Sequence, residues 1–175
     1  DGSTSHEGIF DLETGEFLKQ TTHQGWRDDS SWARGLAWAL YGFGTVYEFT
    51  GDARFLHSAE SCAHFYIENT PTDGIPYWDT GAPGLHYMGD FLGRASEPSN
   101  DHEPIDSSAA AIGAQGLLRL GRYLGESEGD GRRYFQAGLT VMKNLFADPY
   151  LSRDENHHGL ILHSIYHRPN GWDYI

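Results

Sequence analysis

Two stretches of this chain are copies of one another. DSSWARGLAWALYGFG, from Asp29, and DSSAAAIGAQGLLRLG, from Asp106, share Asp, Ser and Ser and match again at Ala33, Ala37, Leu40 and Gly44, at a constant offset of 77 residues. Each opens a helical pattern. With Asp29 as cap, apolar residues recur at Trp32, Leu36, Ala39, Leu40 and Phe43 over residues 30–49, and Gly51-Asp52 starts a second helix over 52–69 through Phe55, Leu56, Ala59, Ala63 and Tyr66. With Asp106 as cap, the plan repeats over 107–124 and 132–146, Gly129 to Gly131 forming the turn between them. A single helical hairpin cannot bury its own apolar face, so repeated hairpins stack side by side in a toroid or solenoid. The expected fold is all-α, a barrel of helical hairpins.

Where the copies differ is as informative as where they agree. The second copy has Ala111 and Gln115; the first has Arg34 and Trp38, four residues apart and therefore neighbours on one helical face. A guanidinium in a helix of small and apolar residues needs a partner or a solvated cleft, and its planar fork suits a carboxylate. Trp38 offers a flat apolar surface to a sugar ring. An Arg bonded to a neighbouring acid beside a Trp in the core satisfies the same pattern, and composition alone favours that use. Gln24 and Trp26, in HQGWRDDSSWARG, precede the helix; Gln donates and accepts toward hydroxyls, and Trp can line a rim. His6 adds an imidazole. Asp28 and Asp29 are a carboxylate pair, but the cap occupies Asp29 and Asp28 is expected in solvent, so neither is assigned as a catalytic acid.

The remaining segments carry weaker signals. Residues 1–27 are polar, with Ile9-Phe10 and Phe17-Leu18 flanking Thr14-Gly15 as in a hairpin or loop. Residues 71–105 hold Pro76, Pro83, Pro98 and Pro104 among aromatics; a loop of that length is expected to be functional, as one wall of a cleft. The tail contains His157, His158, His163 and His167. His163 and His167 are four apart, but no HExxH arrangement accompanies them, and no metal is expected.

Charge removes whole classes of partner. Twelve Lys and Arg against 25 Asp and Glu give a net charge of −13, which repels a long polyanion and argues against nucleic-acid binding. An acidic ligand therefore has to be small. Apolar runs are broken well before membrane-spanning length, and no basic region leads into an apolar stretch at Asp1, so no membrane partner is expected. The expectation is a cytoplasmic protein, the periplasm being the alternative. Cys62, the one cysteine, rules out an internal disulfide and falls at a buried helical position. The chain opens on Asp1 and reaches Ile175 through Gly171-Trp172-Asp173 without a closing turn signal, which reads as a truncated domain.

DGSTSHEGIFDLETGEFL, THQGWRDDSSWARGLAWALYGF, DSSAAAIGAQGLLRL and GLILHSIYHRP, in that order, resemble the unsaturated glucuronyl hydrolases, glycoside hydrolase family 88. The WARGxAW string separates this resemblance from the unsaturated rhamnogalacturonyl hydrolases of family 105, and Leu36 stands where the common form has Gln. The resemblance implies an (α/α)6 barrel, of which residues 1–175 are a part lacking the N-terminal portion and the extreme C-terminus. It implies a substrate pocket at His6, Gln24, Arg34 and Trp38, and unsaturated uronic-acid oligosaccharides as ligands. Neither a metal nor an organic cofactor is implied, and the missing part of the barrel is the implied protein partner. The catalytic aspartate of the family lies upstream of the DGSTxH segment, so no catalytic residue is expected within this chain. A non-catalytic sugar-binding helical repeat and a family 105 hydrolase are the competing readings.

Overall fold

The computed structural model describes residues 1–172, so Asp173 and Ile175 at the proposed truncated end lie outside the described residues. Four helices form two antiparallel hairpins: α1 (Ala33–Thr50) with α2 (Ala53–Glu68), and α3 (Ser107–Leu124) with α4 (Gly129–Leu145). The two copies, α1 and α3, pack against each other, while α2 and α4 pack each on its own partner. This is the arrangement of adjacent units in an (α/α) toroid. A two-stranded antiparallel ribbon, β1 (Glu7–Phe10) and β2 (Phe17–Thr21), precedes α1. No helix among the described residues is long and apolar enough to cross a membrane.

Helix limits follow local chemistry in three cases and tertiary contacts in the fourth. The Asp106 carboxylate accepts from Ser108 N and Ala109 N, which fixes the start of α3. The Asp52 carboxylate accepts from Arg54 N at the start of α2, and Gly51, at φ 64°, supplies the left-handed residue that ends α1. Gly129 to Gly131 do not form the second turn; they open α4, and residues 125–128 turn instead. Asp29 does not cap α1. It lies in solvent, paired with Arg27 at 3.1 Å, and α1 starts three residues later than its pattern suggests. Ser30 and Ser31 bond to Arg27 and Thr4, and Ala33 N donates to the Trp78 carbonyl, so a distant loop satisfies the first helical N–H.

That distant loop is the largest departure from expectation. Residues 71–105 do not simply wall a cleft; Ile75, Tyr77, Trp78, Leu85, Met88 and Ile105 are all buried and form one of two apolar clusters with Trp32, Val141 and Leu145. The other cluster, around Leu36, Leu40, Tyr66, Leu117, Leu120 and Tyr134, joins the two hairpins. Buried polar groups anchor the loop: Trp78 Nε1 donates to Glu103 at 2.7 Å, and Ser96 Oγ donates to Asp73 at 2.7 Å. Cys62 is buried and free, its thiol pushed up to about 11 by that burial.

Close helix contacts use glycine. A Cβ at Gly121 would meet the backbone of α4, Phe135 N at 2.7 Å and Gly131 O at 2.8 Å, whereas one at Gly42 would meet nothing. Gly→Ala inside a helix ordinarily gains up to about 1 kcal/mol. Gly42→Ala is expected to show that gain, and Gly121→Ala to lose about 1–3 kcal/mol through overpacking. Urea unfolding of the two variants checks the opposite signs.

Candidate functional site

Arg34 and Trp38 fall in the first turns of α1, Gln24 in the loop between β2 and α1, and His6 just ahead of β1, and the four form two pairs. Gln24 Nε2 and Arg34 Nη2 both donate to one backbone oxygen, the Tyr166 carbonyl, at 3.1 and 2.8 Å. His6 and Trp38 instead line an open cleft of about 740 Å³ together with Trp32, Phe43, His57 and Cys62. Neither Gln24 nor Arg34 lines that cleft. Trp32 joins the pairs, with the His6 ring packed on it at 4.7 Å and the Arg34 guanidinium over it at 4.9 Å.

Arg34 is held on several sides. Besides the Tyr166 carbonyl, its Nη1 donates to Ser108 Oγ at 3.1 Å, and its Nε lies 3.8 Å from the Asp106 carboxylate. Its side chain is 15% exposed, and each terminal nitrogen keeps one N–H without a partner among the described residues. The neighbouring-acid use of this arginine is thus present, at 3.8 Å from Asp106. Asp106 is fully buried, and burial raises its carboxyl pKa against the opposing pull of Arg34. Trp38 is 53% exposed, with an edge contact to Tyr41 at 6.3 Å, which leaves ring surface for a sugar.

The Gln24-Gly25-Trp26 loop is set by a half-buried threonine and a buried aspartate. Thr22 Oγ1 accepts from Gly25 N at 2.8 Å, and Asp79 Oδ2 accepts from Trp26 N at 2.9 Å. A Cβ on Gly25 would sit 2.6 Å from Thr22 Oγ1, so this position requires glycine for close approach. Asp79 is buried, which raises its pKa; its oxygens are spent on the Trp26 and Gly81 amides. Asp106 is fully buried, with Oδ1 on its helix cap and Oδ2 toward Arg34, and neither buried aspartate lines the cleft.

His6 has a defined form. Its Nδ1 accepts from the backbone N–H groups of His23 and Gln24, both at 3.2 Å, so the neutral ring carries its proton on Nε2. Burial first, then the nearby His23 and His167, hold its pKa below the usual value, with Glu7 opposing. A depressed folded pKa means that the unfolded chain binds this proton more readily. The stabilisation is therefore present above the unfolded value of 6.5 and is lost as pH falls through the folded pKa. Thermal unfolding between pH 7.5 and 5 is expected to show a declining transition temperature, and His6→Gln to flatten that decline.

Tyr166, Ser108 and His167 carry no signal as site residues in the sequence. His167 is buried with both ring nitrogens unpartnered among the described residues, 4.7 Å from the His23 ring and beside Trp172. It does not act with His163, which packs on Tyr150, or with His157, which meets Ser152 Oγ. A backbone carbonyl 132 residues from Arg34 has no sequence signature.

No family model matches the chain. Sequence relatives do. The unsaturated glucuronyl hydrolase of Bacillus sp. strain GL1 is 36% identical over 172 residues, 98% of this chain and 41% of that protein. Its crystal structure superposes with a TM-score of 0.83 over 99% of this chain and 42% of that one. Over nearly its whole length the chain is similar to the unsaturated glucuronyl hydrolases. The unsaturated chondroitin disaccharide hydrolase of Streptococcus pyogenes serotype M1 is 32% identical over 167 residues, 95% of this chain and 38% of that protein. The chain thus spans about two fifths of the length of the curated relatives it matches. At this identity the helical hairpins are part of the toroid of that family.

Proposed function

We propose that this chain supplies uronate recognition within a glycoside hydrolase that removes 4,5-unsaturated uronic acid residues from the oligosaccharides left by polysaccharide lyases. The observation that carries the reading is the convergence of Gln24 and Arg34 donors on one oxygen beside an exposed Trp38. Two donors that meet on a carbonyl oxygen also fit a carboxylate oxygen, and the remaining N–H groups of Arg34 are charge-matched to it. Trp38 takes the C–H face of the pyranose, and the neutral His6 ring offers an Nε2–H to a hydroxyl. The names of the relatives above, one acting on unsaturated chondroitin disaccharides, support the same substrate class.

In the proposed reaction a carboxylic acid protonates C4 of the C4=C5 vinyl ether. The same group, now a base, draws a proton from water as its oxygen adds to C5, giving a hemiketal that opens and releases the aglycone. Two carboxylates and an ordinary oxocarbenium displacement are not needed. Asp28 and Asp29 lie in solvent, Asp79 is committed to backbone N–H groups, and Asp106 is buried between its helix cap and Arg34. The proposal therefore takes the acid from the aspartate that the family resemblance puts ahead of DGSTSH. Incubating the natural protein with an unsaturated chondroitin disaccharide tests it. The ultraviolet absorbance of the conjugated double bond should fall as free amino sugar appears; unchanged absorbance with a saturated substrate cleaved instead would reject it.

A further inference from the structure

The two DSS motifs, alike in sequence, do different work. In the first copy Asp29 pairs with Arg27, Ser31 holds Thr4, and neither Asp29 nor a serine caps α1. In the second copy Asp106 caps α3, and Ser108 turns its hydroxyl in two directions: Oγ donates to Asp106 Oδ1 at 2.5 Å and accepts from Arg34 Nη1 at 3.1 Å. The other carboxylate oxygen, Asp106 Oδ2, is buried, has no hydrogen-bond partner among the described residues, and faces Arg34 Nε at 3.8 Å. A fully buried carboxylate and a hydroxyl polarised by it thus meet the guanidinium along one side, from the helix of the neighbouring repeat.

We infer that Asp106 and Ser108 are positioning residues for Arg34: they fix the plane of its guanidinium so that its remaining N–H groups face the uronate. The inference rests on the reading of Arg34 as the carboxylate ligand and adds a device to it. An arginine side chain has several rotatable bonds, and a carboxylate receives both N–H groups well only if the fork is held in plane. The Tyr166 carbonyl fixes one terminal nitrogen; Ser108 fixes the other, and Asp106 supplies buried negative charge that keeps the cation against α3. The repeat spacing has a consequence for function here, because it brings the second cap to the first copy's arginine.

Calorimetric titration of the chain with an unsaturated chondroitin disaccharide, and with the same disaccharide reduced to the C6 alcohol, separates positioning from general stability. Ser108→Ala leaves the Asp106 cap bonds to backbone N–H groups in place. It should weaken binding of the acid about tenfold, the order expected for one hydrogen bond to a charged group, and leave binding of the alcohol unchanged. Ser108→Thr, which keeps the hydroxyl, should restore the acid preference. Asp106→Asn, which keeps a capping side chain, should reduce that preference as well. Equal binding of the acid by Ser108→Ala and the parent, or equal losses for acid and alcohol, would overturn the inference. If Arg34→Ala lowers the acid preference and Ser108→Ala does not, the positioning role fails and the uronate reading stands. If the parent shows no preference for the acid, both fail.

Discussion

Arg34→Ala is expected to weaken binding of an unsaturated glucuronyl disaccharide by about 100-fold, corresponding to about 2.7 kcal/mol. That is the range found when one partner of a hydrogen-bonded charge pair is truncated in a largely desolvated site. Arg34→Lys should fall between, with about a tenfold loss, because the charge remains while the planar fork does not. The alanine variant also leaves Asp106 with its nearest cation removed, so part of any loss belongs to the folded state. Thermal melts of both variants beside the calorimetry separate the two contributions. A lysine variant that melts with the parent and binds tenfold more weakly isolates the fork. If Arg34→Ala binds the acid as the parent does, Arg34 belongs to the α1–α3 interface alone.

The largest loss of stability is expected from Trp78→Ala, about 3–5 kcal/mol, the usual range for emptying a buried aromatic site. Trp78 is 2% exposed at the centre of the loop cluster, and its removal also takes from buried Glu103 the indole N–H that it accepts at 2.7 Å. For a domain of this size a kilocalorie moves the melting temperature by roughly 2–4 °C, so a fall of roughly 6–20 °C is expected. Trp78→Phe keeps most of the volume and loses only the hydrogen bond, at about 1–3 kcal/mol. The consequence extends to the site, since the Trp78 carbonyl receives Ala33 N at the start of α1, one residue before Arg34. A Trp78→Ala chain as stable as the parent would mean that residues 71–105 only cover the hairpins and do not form their core.

The helical frame was legible because local chemistry sets most of it. Asp106 caps in place, and the pattern it opens ends at Leu124 as the periodicity predicts. The first copy carries the same DSS and misleads at its start, because Ser31 and the Trp78 carbonyl bring in contacts from 27 to 49 residues away. The loop cluster was hidden for a different reason: Ile75, Tyr77 and Trp78 sit among prolines with neither helical nor strand periodicity, so nothing in the local pattern announces burial. At the site, comparison of the copies singled out Arg34 and Trp38, Gln24 and His6 stood beside them as candidates, and the resemblance joined the four into one pocket. What holds Arg34 was not legible. One of its partners is a backbone carbonyl, the same for every residue type, and the other is a serine whose motif reads as a helix cap in both copies. His167, met in the sequence as one of a group of tail histidines, packs instead on His23, the neighbour of Gln24.

A crystal structure of the chain with an unsaturated chondroitin disaccharide tests uronate recognition most directly. The account predicts the carboxylate within hydrogen-bond distance of Arg34 and the Gln24 amide, with the unsaturated ring against Trp38 and a hydroxyl at His6. A disaccharide bound with its carboxylate in solvent, while Arg34 keeps only Ser108 and the Tyr166 carbonyl, would contradict it.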